Sequence, residues 1–306
     1  SRAGERMMSE KTATARRTVN DPQLRQPLLP AKVRNILSSG LIYLVMTLLA
    51  FIFMIPLLWM LSTSFKARWE VFAWPPQWIP ETFHWENYVQ AFTLYPLGRF
   101  MLNSAFLVVV NIIGELIAVP LVAYGFARLR FPGKNVLFLL MLGTMMLPGH
   151  IKLIPLFAIY SRLGWLDTYW PLIVPAFFGS PFFIFLMVQY MKTIPRDLDE
   201  AARIDGAGYW TILYRVVLPL CRPPLIIVLV FTFLWTWNEF MHPLIFLNSF
   251  DMFPIQVGLA FFRGRYSVEW NLFMAATLVS LIPILILYFF SQKQLIGGIA
   301  SVGLKG

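Results

Sequence analysis

The chain has 306 residues, of which 58% are hydrophobic and 13% are charged, and its formal net charge is +10. About a quarter of the residues in an ordinary globular domain are charged, so the composition excludes a typical soluble domain. The single cysteine, Cys221, excludes an internal disulfide and a thiolate metal cluster, and we expect it to be a small packing residue. The sequence contains no Gly-x-x-x-x-Gly-Lys-Ser/Thr loop, so any ATP would be bound by another chain.

The first segment, residues 1–38, is polar and basic and precedes the first long apolar stretch. Its charged part is too long, and the apolar run after it too extended, for a cleavable signal peptide. We therefore predict a flexible N-terminal tail.

Long stretches without a charged residue follow, for example 35–65, 168–191 and 270–292. A helix needs about 20 apolar residues to cross the hydrocarbon core, and only closed backbone hydrogen bonding is stable there. We predict an all-α membrane protein with a transmembrane domain over 39–292 and a C-terminal tail over 293–306. The six predicted spans lie near 39–63, 101–125, 136–158, 169–191, 221–247 and 270–292.

The basic residues predict the orientation, because cytoplasmic loops carry an excess of lysine and arginine. With the N-terminus inside, cytoplasmic segments hold 18 of the 25 lysine and arginine residues. We therefore expect a multi-pass protein with both termini in the cytoplasm. The same asymmetry explains the positive net charge without a nucleic-acid partner.

A charged loop, residues 192–219, separates the fourth and fifth predicted spans. Asp197 and Glu200 have the spacing of a capping box, the two alanines that follow favour a helix, and Gly206 allows a left-handed end. A second, amphipathic helix follows and ends at Pro219. These features predict a helix-turn-helix at the membrane surface, either an interfacial loop without a partner or a docking surface.

The loop resembles the Glu-Ala-Ala loop of permease subunits of bacterial ABC importers. The shared pattern is Glu-Ala-Ala at 200–202, then Gly206, and Leu-Pro at 218–219. In that family the loop docks on a separate ATP-hydrolysing subunit. The resemblance implies that the ATPase-coupling residues are Glu200, Ala201, Ala202, Asp205, Gly206, Leu218 and Pro219.

Further segments resemble the carbohydrate-uptake, maltose-transporter-type branch of this family. They include Pro-Pro-Gln-Trp at 75–78, Ala-Tyr-Gly-Phe-Ala-Arg at 123–128 and Trp-Asn-Glu-Phe at 237–240. The family's more usual alanine is a glycine at position 125. The resemblance covers roughly residues 35–306. It implies the type I ABC importer permease fold and a transport subunit without enzymatic activity or a bound cofactor.

The resemblance also implies the partners and the location. These are a second, homologous permease subunit, a cytoplasmic ATPase dimer that holds ATP and magnesium, an extracytoplasmic solute-binding protein, a sugar or oligosaccharide, and membrane lipid. The expected location is the plasma (inner) membrane of a bacterium or an archaeon.

Acidic residues inside predicted spans require an explanation, because a buried charge is energetically costly unless it is paired or hydrated. Glu239 is either a group of the substrate pathway or a structural hydrogen-bond acceptor. In the first case Asn238 would bind hydroxyl groups beside it, and Trp235 or Trp237 would stack on a sugar face. For Glu115 we expect structural pairing at an interface.

Three other functions remain open at this point. A permease for glycerol phosphate or another polyol-type solute would share the same motifs. A membrane-embedded enzyme would need acids or histidines clustered at one membrane face, whereas the acids here cluster in the 192–219 loop. An ion-driven secondary transporter would show an inverted repeat and paired intramembrane charges, and it would leave that loop unexplained.

Overall fold

A computed structural model describes residues 31–264 and 268–303 of the chain. The described residues are mostly helical and contain no β-strand. Residues 1–30 of the predicted flexible tail lie outside the described residues. The first helix begins at Ala31, within the remaining part of that predicted tail. At the other end, the last helix runs through the predicted C-terminal tail to Gly303.

We number the α-helices in chain order. They are α1 (Ala31–Ser64), α2 (Glu86–Leu94), α3 (Leu97–Arg128), α4 (Lys134–Met145), α5 (Leu153–Arg162), α6 (Trp170–Ile173), α7 (Pro181–Thr193), α8 (Asp197–Ile204), α9 (Tyr209–Thr211), α10 (Leu218–Leu220), α11 (Arg222–Asn238), α12 (Met241–Phe246), α13 (Ile255–Phe261) and α14 (Trp270–Gly303). Short 3₁₀ turns cover Glu70–Phe72, Gly149–Lys152, Val174–Phe178 and Phe250–Met252, and a π-helical turn covers Ile212–Val217.

The predicted all-α membrane class is confirmed, but the count of six spanning helices is not. Within the described ranges, four helical segments are long and apolar enough to cross a membrane: Ser39–Ser64, Leu97–Arg128, Trp170–Thr193 and Trp270–Gln292. A fifth candidate is Tyr209–Leu220 together with Arg222–Asn238, a pair bent by 79°.

The predicted third span is divided into α4 and α5 by the 3₁₀ turn Gly149–Lys152. Pro148 stands directly before this turn. A proline lacks the backbone N–H and disfavours the α conformation in the residue before it. The segments on both sides of the break are apolar, so hydropathy averaged over a window as long as 136–158 joins the two helices.

The chain divides into two compact units between Leu58 and Trp59. In the first unit the described residues form the greater part of α1, and large apolar side chains such as Tyr43 and Phe53 are exposed there. A helix that is apolar on all sides is typical of a membrane span.

The second unit is organised around α3, which packs against α7, α11 and the 3₁₀ turn Val174–Phe178. Small residues on α3 allow this close approach, as is common between membrane helices. A Cβ atom added at Gly114 would lie 3.0 Å from the Phe177 ring and 3.1 Å from Ala176.

Two buried clusters lie along α3. One surrounds its C-terminal half, where Ala123 packs with Met187 of α7 and with Val217. The other surrounds its N-terminal half, where Phe100 packs with Ile255 and other residues of α13, α14 and α2. The first cluster supports the charged loop, and a cavity lies against the middle of α3.

Candidate coupling surface and translocation cavity

The first half of the charged loop forms the predicted helix, α8. Arg196 occupies the N-cap position and no side chain caps the helix, so the predicted capping box is wrong. Asp197 is instead the first helical residue, where its negative charge still interacts favourably with the helix dipole. Gly206 has φ +84°, as predicted for a glycine that ends a helix. Its N–H donates to Arg203 O at 2.9 Å, and Ala207 N–H donates to Ala202 O at 2.9 Å.

Most of the residues that the resemblance assigns to coupling are solvent-accessible. Glu200, Ala201, Asp205 and Gly206 are exposed, and so is Pro219 at the far end of the loop. The two exceptions are half-buried, Ala202 against the neighbouring core and Leu218 in α10. One face of α8 is therefore open to a partner.

A buried ion pair holds α8 to α3. The Arg128 guanidinium lies 3.4 Å from the Asp199 carboxylate, and the two side chains are 3% and 10% exposed. Arg128 also donates to Ile194 O at 3.0 Å. Since Arg128 ends α3 and Asp199 is in the first turn of α8, this ion pair links α8 directly to a candidate spanning helix.

The second half of the loop runs from α9 through the π-helical turn to α10. Ile212, Leu213 and Val217 are buried in the core around the end of α3. On the outside, Ile204 is 87% exposed and Trp210 is 66% exposed. The Trp210 ring stacks on Tyr214 at 6.1 Å. The loop is thus anchored on one side and presents apolar and acidic side chains on the other.

A cavity of about 330 Å³ lies between α3, α11 and the segment 171–183. Its volume is within the range of small-molecule sites. The polar side chains in its lining are Asn111, Glu115, Ser180, Thr232, Thr236, Glu239 and His242. Among the described residues, no group of three or more His, Cys, Asp and Glu side chains is placed to hold a metal ion.

One wall of this cavity is a break in the predicted fourth span. The 3₁₀ turn ends at Gly179, which has φ +78°, and α7 begins after Ser180. Glu115 of α3 accepts hydrogen bonds from Ser180 N–H at 3.0 Å and from Ser180 Oγ at 2.5 Å. Non-helical backbone at membrane depth is stable only where protein or a cavity satisfies it, and Glu115 does this here.

The opposite wall contains a second break, between α11 and α12. Glu239 Oε1 accepts from the N–H groups of Met241 at 2.9 Å and His242 at 3.2 Å. Its other oxygen lies 3.2 Å from His242 Nδ1. Glu239 thus caps α12 and lines the cavity at the same time.

The remaining predicted pathway residues do not all lie at the cavity. Trp235 lines the cavity, and its ring stacks on Phe183 at 4.9 Å. Trp237 is 3% exposed and donates from Nε1 to Ser280 O of α14 at 3.1 Å, so it packs in the core. Asn238 is exposed and donates to Leu234 O on its own helix. Of the predicted set, the structure brings Trp235 and Glu239 together at the cavity.

Comparison with known proteins identifies the family. Residues 116–300 match the family model of the binding-protein-dependent transport system inner membrane component. The chain belongs to this family. The resemblance found in the sequence is thereby confirmed, and the permease is a multi-pass membrane protein.

Curated relatives match the permease over most of their length. A probable ABC transporter permease protein of Bacillus subtilis is 34% identical over 88% of this chain and 89% of the relative. The diacetylchitobiose uptake system permease protein of Streptomyces coelicolor is 32% identical over 82% of this chain and 83% of its own. The arabinooligosaccharides transport system permease protein of Halalkalibacterium halodurans is 33% identical over 88% of this chain and 97% of the relative.

The permease also shares its fold with a solved transporter. A crystal structure of a bacterial ABC transporter involved in the import of the acidic polysaccharide alginate matches with a TM-score of 0.74 and 23% identity. The match covers 88% of this chain and 99% of that one. The predicted ABC importer permease fold is therefore confirmed.

Sequence reasoning missed several residues that the permease uses. His242 and Ser180 complete the two helix breaks, and Asp199 anchors α8. Each of these roles depends on a partner that is distant in the sequence or on a break that hydropathy does not show. The Gly-Ser-Pro run at 179–181 is the local signal that would have predicted the break before α7.

Proposed function

We propose that this permease is one half of the translocation pathway of an ATP-driven importer for a sugar or an oligosaccharide. The observation that carries the proposal is α8: an exposed helix of the family's coupling sequence, fixed to a spanning helix by the buried Arg128–Asp199 ion pair. A separate ATPase dimer, which holds ATP and magnesium, would dock on this surface, while this chain binds no cofactor.

In this proposal α8 acts as a rigid lever. Glu200 and Asp205 are exposed and acidic, suited to basic groups on the ATPase subunit. Ile204 and Trp210 add exposed apolar area, which supports docking on a protein surface. Gly206 preserves the bend that separates the two halves of the loop, and Leu218 and Pro219 continue the second half toward α11. Closure of the ATPase dimer would move α8 and, through Arg128, the end of α3. This is alternating access by rigid-body motion.

The 330 Å³ cavity is the proposed portion of the pathway in this chain. It lies between two interrupted helices, an arrangement that also surrounds the substrate sites of secondary transporters. Carboxylate, amide, imidazole and hydroxyl groups there suit sugar hydroxyls, and the Trp235 ring provides an apolar face. The transport names of the diacetylchitobiose and arabinooligosaccharide relatives support a carbohydrate substrate.

The charge of the cavity argues for a neutral sugar over glycerol phosphate. Its described lining includes Glu115 and Glu239 but no lysine or arginine. A phosphate group in this lining would face carboxylates without a cationic partner. An ion-driven transporter would leave the exposed Glu-Ala-Ala loop without a role.

The remaining partners follow the family. A second, homologous permease would cover exposed apolar faces of the spanning helices and complete the pathway, and lipid would cover the rest. A solute-binding protein would deliver the sugar at the face opposite α8. The excess of basic residues in 1–34, 128–134 and 192–222 supports a cytoplasmic position for α8 and for both termini.

The test is the substitution Glu200→Lys in the assembled transporter. We expect it to abolish co-purification of the ATPase subunit and sugar uptake, while the permease still inserts in the membrane. Glu81→Lys is the matched control, since Glu81 is also an exposed acid but lies outside the loop, and it should retain the ATPase. Normal ATPase recovery and uptake with Glu200→Lys would refute the docking role.

A further inference from the structure

A second cavity, of about 310 Å³, lies where the end of α3, the start of α4 and the end of α7 meet. It is separate from the proposed sugar pathway. Four of its lining side chains are cationic: Arg128, Lys134, Lys192 and Arg196. The rest of the lining consists of Asn135 and the apolar residues Phe126, Ala127, Phe138 and Val188.

Three of these cations have no carboxylate partner among the described residues. Arg128 is paired with Asp199, but no ion pair within 4.0 Å involves Lys134, Lys192 or Arg196. Lys134 Nζ donates to Leu129 O at 2.9 Å, and Arg196 donates to Ala127 O at 3.4 Å. These neutral acceptors leave the positive charges uncompensated, so the cavity attracts an anion.

The cavity is also apolar on one side. Phe126 and Phe138 pack together with ring centroids 5.3 Å apart, and Lys192 Nζ lies 5.7 Å from the Phe138 centroid. On either side of Phe138 in the sequence, α4 carries the exposed apolar side chains Val136, Leu139 and Leu140. A charged recess that leads onto an exposed apolar helix matches an amphiphile with an anionic head and an acyl tail.

We propose that this cavity binds the phosphate headgroup of an anionic phospholipid. Lys134, Lys192 and Arg196 hold the phosphate, and the acyl chains lie along α4. Basic recesses between membrane helices on the cytoplasmic side are suited to anionic headgroups. A free phosphate ion would match the cations equally well but would leave the apolar side of the cavity and the face of α4 unused.

The position of the site links lipid to the coupling surface. Arg196 lines the cavity and is also the N-cap residue of α8. Arg128 lines the same cavity and anchors α8 through Asp199. The bound headgroup therefore lies at the base of the helix that we propose docks the ATPase. Its assignment to the cytoplasmic leaflet rests on the proposed orientation, but headgroup binding itself does not.

The experiment is a lipid titration of the purified full-length chain by native mass spectrometry. Palmitoyl-oleoyl phosphatidylglycerol is compared with palmitoyl-oleoyl phosphatidylcholine, which has the same acyl chains and no net charge. We expect selective retention of phosphatidylglycerol. Because a basic residue near the surface contributes about 1 kcal/mol to anionic-lipid binding, Lys134→Gln with Lys192→Gln should weaken this retention about 30-fold.

The matched control is Lys152→Gln with Arg162→Gln, which removes two exposed cations outside the cavity. This control should bind phosphatidylglycerol as the unaltered chain does. Lys192→Glu alone is the second variant, since Lys192 is exposed. It too should lose the selectivity.

Three results would overturn the proposal. The first is equal retention of the two lipids by the unaltered chain. The second is unchanged phosphatidylglycerol binding by both cavity variants. The third is complete displacement of phosphatidylglycerol by excess inorganic phosphate, which would assign the cavity to the free ion. The lipid titration does not require ATPase docking. The lipid proposal and the proposed transport function can therefore fail independently of each other.

Discussion

Glu115 and Ser180, 65 positions apart in the chain, form a two-point contact that closes a helix break at the cavity. The carboxylate accepts from the Ser180 backbone N–H at 3.0 Å and from its hydroxyl at 2.5 Å. Glu239 performs the equivalent task for α12 on the other side. The two acids inside predicted spans are thus both helix-capping groups, and both line the same cavity.

Replacement of Glu115 tests this capping role. Glu115→Ala leaves the Ser180 N–H and hydroxyl without an acceptor, so we expect a loss of about 1–3 kcal/mol of stability. Glu115→Gln keeps one acceptor oxygen and should lose less. Unfolding in detergent measures both. Asn111→Ala is the control from the same cavity, since Asn111 donates only to Leu107 O of its own helix. An unchanged unfolding midpoint for Glu115→Ala would contradict the role.

Replacement of Glu239 separates capping from substrate binding. Glu239→Ala removes the α12 cap, which is worth about 0.5–2 kcal/mol, and should also weaken apparent affinity for the sugar. Glu239→Gln keeps a capping oxygen but loses the charge that faces the cavity. We expect near-normal stability and altered uptake affinity for this variant. Normal affinity in sugar uptake by Glu239→Gln would favour a structural role alone.

The buried Arg128–Asp199 ion pair predicts that replacement of Arg128 lowers the free energy of unfolding much more than replacement of Arg99. Arg128→Ala leaves a carboxylate buried without its partner, which costs about 3–5 kcal/mol. Arg99→Ala is the control, because its pair with Asp251 is more than half exposed on both sides and such pairs contribute about 0–1 kcal/mol. Denaturant unfolding measures the free energy of unfolding of both variants and so tests this difference. If Arg128→Ala were no less stable than Arg99→Ala, the anchor described for α8 would be wrong.

Asp167, between α5 and α6, predicts a dependence of stability on acid pH. Hydrogen bonds from the Ser249 hydroxyl and from the N–H groups of Ser249 and Asn248 lower the pKa of this carboxyl from its ordinary value of 3.8. A lowered pKa in the folded state gives stability that is complete above the unfolded value and is lost as the pH falls through the folded value. The contribution should therefore fade below pH 3.8.

Asp167→Asn tests this dependence, because asparagine tolerates the positive φ of 57° but carries no charge. We expect the unfolding temperature of the unaltered chain to exceed that of the variant at neutral pH. The difference should narrow as the pH is lowered past 3.8. A difference that stays constant over this range would show that the Asp167 charge contributes nothing.

Some features that local chemistry determines were predicted from the sequence, although the capping box of α8 was not among them. Gly206 was expected to end a helix and does so with positive φ. The separation of Trp235 from Trp237 was also within reach, because residues two apart lie about 200° apart around a helix. They cannot both face one cavity, and the structure buries Trp237 against α14.

The sequence did not predict features that depend on contacts between distant segments. Nothing near Glu115 indicates Ser180 as its partner, and nothing near Asp199 indicates Arg128. The division of the third predicted span at Pro148 was missed for another reason. Hydropathy averages over such a break, whereas the proline and the glycine after it disrupt backbone hydrogen bonding locally.

Assembly with an ATPase is tested most directly by gentle purification of this permease from its native membrane, with mass spectrometry and an ATP-hydrolysis assay on the same sample. We predict that an ATPase subunit and a second, homologous permease are recovered with it, and that the sample hydrolyses ATP. Recovery of this chain alone, active in sugar transport and without an ATPase, would contradict the proposed ATP-driven importer.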